Sequence, residues 1–184
     1  MNNAWYIVAL VVVIATIALA VAAIRLRKPW LSAPSVLPVA FVVLAAPWFD
    51  GGGWLAAALV VAITALGVLA GSPLVALVLR LATPGGPQLG THGGILVRDT
   101  TSPPPQRDKE VLRGGATIGY LERFALIGSV LAGQAAAVAI IVAIKGLGRF
   151  SELESAQARE RFIIGTLGSL VWAGACAAAA VIAW

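Results

Sequence analysis

The apolar stretches of this chain are as long as a bilayer is thick, and that constrains it more than any motif does. Trp5–Ile24 carries no Asp, Glu, Lys, Arg or His, and further apolar runs cover Leu31–Phe49, Trp54–Ala70, Thr117–Lys145 and Phe162–Trp184. A helix needs about 20 apolar residues to cross the hydrocarbon core of a membrane. The composition agrees: 60% of residues are hydrophobic and 11% charged, where a soluble domain is about 25% charged. Mean hydropathy is +0.94. An ordinary soluble domain is excluded. The expected fold is all-α: a polytopic membrane helix bundle of five transmembrane helices, with a short amphipathic helix and one long polar loop.

The first run ends at Arg25-Leu26-Arg27-Lys28, while the four residues before it hold no cationic side chain. A signal peptide has the reverse polarity. The run therefore reads as an uncleaved anchor with its N-terminus outside, bracketed by Trp5 and Trp30 as interfacial anchors. The second run contains Pro34, Pro38 and Pro47 and is the weakest span, since an interior proline starts or kinks a helix. Trp48 and Trp54 flank the turn at Asp50-Gly51-Gly52-Gly53. After the third run, Ser72 reads as an N-cap with Pro73 at the first helical position, which predicts a separate short helix over Pro73–Ala82. The chain then divides into N-terminal membrane helices (1–82), a Gly/Pro-rich cytoplasmic loop (83–115) and a C-terminal two-helix unit with a charged connector (116–184). Within the loop, Gly94–Arg98 reads as a short strand and Gln106–Arg113 as one or two helical turns. Ser151-Glu152-Leu153-Glu154 reads as a capped helix start in the connector.

Charges sharpen the problem. The chain has 13 Lys and Arg and 8 Asp and Glu, and nine of these 21 fall between Gly119 and Ser169, at the edges of the last two runs. Charge near hydrocarbon is costly and needs a reason. Five spans leave Lys145, Arg149, Arg159 and Arg161 outside and the other nine cations inside, in keeping with the excess of Lys and Arg on cytoplasmic loops. On an unbroken fourth helix, Arg123, Gln134 and Lys145 stand 11 residues apart. Eleven residues is close to three turns, so the three share one face. The functional reading of this stripe is a polar track or a site for an anionic headgroup. The bland reading is that Arg123 and Lys145 snorkel to opposite interfaces and Gln134 makes one interhelical hydrogen bond. Ser129 and Gly133, with Gly165 and Gly168 on the fifth helix, form small-residue faces suited to close helix packing. Glu122 and Glu160 adjoin cations and fall on opposite sides of the membrane in five spans, which argues against an acid–base pair. His92 is the lone histidine and Cys176 the lone cysteine, so no metal site, disulfide or cofactor is implied. No basic cluster with interleaved aromatics indicates nucleic acid.

The motifs Arg113-Gly114-Gly115, Ile118-Gly119-Tyr120-Leu121-Glu122-Arg123, Gly133-Gln134, Ala143-Ile144-Lys145, Arg149-Phe150 and Arg161-Phe162-Ile163-Ile164-Gly165-Thr166-Leu167-Gly168-Ser169 occur in that order. In this, the C-terminal part resembles a family of small bacterial polytopic membrane proteins known only as a domain of unknown function. The resemblance implies a membrane fold and a bacterial plasma membrane, and it flags Glu122, Arg123, Lys145, Arg149 and Gly165. Three functions fit the sequence. One is a transport or channel-like role along the stripe. Another is an accessory or scaffold subunit of a larger membrane complex. The third is an enzyme or binder acting on a lipid-linked phosphate. Expected partners are the lipid bilayer, a second copy or other membrane subunits, and a bound anionic lipid.

Overall fold

Helix α1 (Ala4–Arg25) buries Tyr6, Ala9, Val13, Thr16, Ala20 and Ala23. That spacing of three and four is a single narrow face. Ile7, Val11 and Ile14 on the other side are equally apolar and more than half exposed. A helix apolar all round but buried on one stripe is suited to lipid. The computed structural model describes residues 3–49, 53–82, 95–97, 109–111, 115–147 and 156–184. Three of its helices are long and apolar enough to cross a membrane: Ala4–Arg25, Gly53–Ala82 and Arg159–Ala183.

The proline-rich second run is a composite. A 3₁₀ helix (Pro29–Ser35) leads into α2 (Val36–Leu44), and a 3₁₀ turn follows at Ala46–Trp48. Pro38 falls in the first turn of α2, where its missing N–H has no intrahelical acceptor to serve. This segment returns along α1. It leaves beside Lys28 and ends with Trp48 stacked on Trp5, ring centroids 5.1 Å apart, and Phe49 edge-on to Tyr6 at 4.8 Å. The rise of a 3₁₀ helix, about 2.0 Å per residue, lets this short stretch cover the height of α1.

Helix α3 (Gly53–Ala82) is the axis of the bundle and touches α1, α4 and α6. It runs unbroken through Pro73, so the separate short helix expected over Pro73–Ala82 is not formed. Neighbouring helices can accommodate the backbone around such a proline, and here α4 and α6 pack along the same helix, with Arg123 and Trp172 donating to the Val68 and Gly67 carbonyls. Helix α6 (Ala156–Ala183) lies antiparallel to α3: Gly165 faces Val75 and Leu79, and the Trp172 indole meets Gly67. Leu59, Ile63, Leu66, Ile127, Val13 and Val42 fill the core between these helices. The polar loop holds a two-stranded antiparallel ribbon, β1 (Ile95–Val97) with β2 (Lys109–Val111), Leu96 opposite Glu110. The short strand is as expected. The helical turns expected over Gln106–Arg113 give way to β2, because β1 offers a pairing edge. His92, Arg149 and the capped start at Ser151–Glu154 lie outside the described residues.

The fourth run is the main departure. It breaks into α4 (Gly115–Leu131) and α5 (Ala137–Leu147). Gly133 adopts φ +72°, the Gln134 N–H bonds to the Ser129 carbonyl at 2.8 Å, and the Gly133 N–H to that of Val130 at 3.0 Å. Those two bonds around a left-handed glycine are a Schellman cap. The chain then turns and α5 comes back along α4. Gly133→Ala forces an L-residue into a left-handed conformation and is expected to cost about 1–2 kcal/mol, read by reversible unfolding in mixed micelles. A loss of zero would mean that α4 continues through this position.

Candidate functional site

The polar groups gather where α3, α4 and α6 meet. Gly67 and Gly71 are four residues apart, on one face of α3. A Cβ on Gly67 would sit 2.6 Å from Ile127 Cδ1 and 3.0 Å from Cys176 Cβ; one on Gly71 would sit 2.5 Å from Arg123 Cδ and Nε. The two glycines are the recess into which Arg123 and Ile127, also four apart, are laid. Such small-xxx-small spacing lets helix backbones approach.

Arg123 is 3% exposed. Its Nε donates to the Val68 carbonyl at 3.0 Å, Nη1 to Ser169 Oγ at 3.2 Å and Nη2 to Ser72 Oγ at 2.8 Å. Its guanidinium carbon stands 5.3 Å from the Tyr120 ring centroid, one turn back on α4. A cation so far from water needs hydrogen bonds on every side it presents. Three of these contacts go to α3 and α6, so Arg123 ties three helices at one height. The Trp172 Nε1 adds a bond of 2.9 Å to the Gly67 carbonyl. The donors all reach neutral acceptors, and among the described residues no carboxylate pairs with this guanidinium.

The adjacent Glu122 turns the other way and forms a salt bridge with Lys145 of α5. On one unbroken helix these residues would be about 34 Å apart along the axis. Their pairing places the apex between Gly133 and Gln134, midway in sequence. The stripe of Arg123, Gln134 and Lys145 is therefore not assembled. Arg123 is walled in, Gln134 is exposed at the hairpin apex, and Lys145 has returned beside Glu122. The cause is the Schellman cap. Ser129 and Gly133, expected as a packing pair, serve that cap: Ser129 supplies a carbonyl, its hydroxyl donates to the Ala125 carbonyl of its own helix, and Gly133 supplies the left-handed turn. Gly165 and Gly168 do face α3, at Val75.

Sequence reasoning overlooked Gly67, Gly71, Ser72, Ser169 and Trp172. The glycine spacing was the available signal, hidden by reading Ser72-Pro73 as a helix boundary. Cys176 packs against Gly67 in the core. Among the described residues no three of His, Cys, Asp and Glu come together. This arrangement clamps three helices together.

Neither family models, nor curated proteins, nor solved structures give a match to this chain.

A double-mutant cycle tests the hairpin. Glu122→Gln and Lys145→Gln are expected to show a coupling energy of about 1 kcal/mol or more, within the range for contacting residues. Independent effects would place the two side chains apart, as a continuous fourth helix requires.

Proposed function

We propose that this protein is an integral membrane assembly subunit: a rigid four-crossing bundle that presents a half-membrane hairpin to other membrane helices. The crossings are α1, the composite segment 29–48, α3 and α6, with the N-terminus outside. The α4–α5 hairpin enters from the cytoplasmic side and returns to it. Charge supports this topology. Arg25, Arg80, Arg159 and Arg161 mark the cytoplasmic ends of α1, α3 and α6, and both stretches that join the hairpin to its neighbours leave from that end. All 13 Lys and Arg of the sequence then lie on the cytoplasmic side or in the segment entering from it. Five crossings divide them nine to four, so the re-entrant arrangement obeys the positive-inside rule better. Asp50 is the one charged residue between Trp48 and Trp54, at the opposite end.

The observation that carries the functional reading is α5. It is strongly apolar, none of its described side chains is buried, and within the chain it leans on α4. Ile140 and Ile144 are 62% and 66% exposed. Lipid alone accepts apolar side chains. The non-helical apex that α5 creates is different, because irregular backbone at membrane depth is tolerated where protein or enclosed water covers it. Extraction in mild detergent is expected to yield a complex with other membrane polypeptides or further copies; a stable monomer that keeps its fold and its cellular role sinks this reading.

A channel-like role is the second reading, and it moves from the stripe to the apex. Copies meeting at Gln134 would enclose polar groups inside hydrocarbon. Ion or solute flux in liposomes that Gln134→Leu abolishes would favour it. The lipid-linked phosphate reading has less support, since Arg123 is already engaged by Val68, Ser72 and Ser169.

Topology gives a direct check. With Cys176→Ala as background, cysteines at Gly115 and Gly146 should react with a membrane-impermeant maleimide from the same side, and one at Asp50 from the other. Labelling of Gly115 and Gly146 from opposite sides would restore five crossings.

A further inference from the structure

Height along the bundle shows what the hairpin apex must meet. Ile127 lies against Gly67, which is 13 residues from Trp54 at the outer end of α3, a distance of about 20 Å. Leu131 is one turn beyond Ile127, so α4 stops roughly 10–15 Å short of the outer end. The apex, Ala132–Ala136, is therefore still within hydrocarbon in the proposed topology. All five of its residues are exposed. The Schellman bonds and three bonds into the first turn of α5 satisfy part of its backbone. The N–H groups of Ala135 and Ala136 and the side-chain amide of Gln134 have no partner among the described residues. A lipid tail offers none, and an amide left without hydrogen bonds in an apolar medium is costly.

The missing partner needs three properties. It must lie at the same depth, carry both donors and acceptors, and allow close approach of backbone. A second copy meets all three. Copies inserted by the same charge asymmetry share one orientation, so a two-fold axis along the membrane normal brings the same residues to the same depth. A glutamine amide carries donors and acceptors at once, so two of them pair reciprocally. The residues around it are Ala132, Gly133, Ala135 and Ala136, with no side chain larger than a methyl group. We propose that the protein self-associates through the apex of the α4–α5 hairpin, with Gln134 of one copy hydrogen-bonded to Gln134 of the other inside the membrane. This rests on the reading of the hairpin as a docking element and names its partner.

The test is site-specific photo-crosslinking in native membranes, with a benzophenone amino acid replacing Ala135 and, as a control, Ile7 on the bare face of α1. The expected result is a crosslinked dimer of this chain from position 135 and none from position 7. In the purified protein, Gln134→Leu should weaken dimerisation about 5- to 30-fold, the range for one intramembrane polar contact in model helices, and Gln134→Asn should retain part of it. Crosslinks from 135 to a different polypeptide would overturn self-pairing while leaving the docking reading intact. Crosslinks to lipid alone would overturn both. A dimer that Gln134→Leu leaves unchanged would overturn the pairing at Gln134 even if 135 crosslinks.

Discussion

The buried guanidinium of Arg123 organises the bundle. It can be held away from water because α3 has no side chain at Gly71 and supplies the Val68 carbonyl beside it. Ser72 and Ser169 close the other directions. The energy of such a group is asymmetric. Satisfied, it adds modestly to stability; deprived of one acceptor, it leaves a charge in a low-dielectric interior. The positions of α3, α4 and α6 are therefore coupled: shifting any one of them unbinds the same side chain. The Trp172–Gly67 bond and the packing of Ile127 on Gly67 reinforce that junction one turn away.

The hairpin follows from this anchoring. With α4 pinned through Arg123, its neighbour Glu122 lies off the α3–α6 junction and needs a cation. A helix that continued past Leu131 would carry Lys145 far from it. The glycine at 133 lets the chain reverse, and the returning α5 delivers Lys145 to Glu122. Two ionisable residues that would be expensive singly are neutralised as a pair. The polar cost moves to the apex, where it is concentrated on Gln134 and the first amides of α5.

Helices long and apolar enough to cross a membrane were legible in the sequence at once, because hydropathy over about 20 residues is a strong signal. The sequence also indicated α1, the first part of α3 as far as Ala70, α6 and the β1 strand. Beside strand β2, two features were not legible, for physical reasons. The reversal at Gly133 depends on one residue adopting a left-handed conformation inside an apolar stretch long enough to be a single helix, and hydropathy is blind to backbone hand. The passage of α3 through Pro73 takes place in a helix packed against α4 and α6, which are distant in sequence. The candidate site was half legible. Arg123, Glu122 and Lys145 stood out as charges near hydrocarbon, but their grouping followed from an assumed straight helix. The serines and glycines that receive Arg123 are uncharged and small, so their role appears only once three helices are brought together.

The one-sided distribution of cations bears on how the chain enters its membrane. In the proposed topology, Asp50 is the single charged side chain that an insertion machinery has to carry across. Everything else that crosses is apolar or weakly polar, and the hairpin needs no transfer of a hydrophilic segment at all, since both of its ends stay where they are made. An Arg, Lys or Asp lodged at the centre of a membrane helix costs about 2.5–3.5 kcal/mol on insertion scales. A fifth crossing would put the charged connector between α5 and α6 on the far side, against the positive-inside rule. In the proposed topology, folding the fourth run back on itself keeps Arg149, Arg159 and Arg161 on the side where they are made.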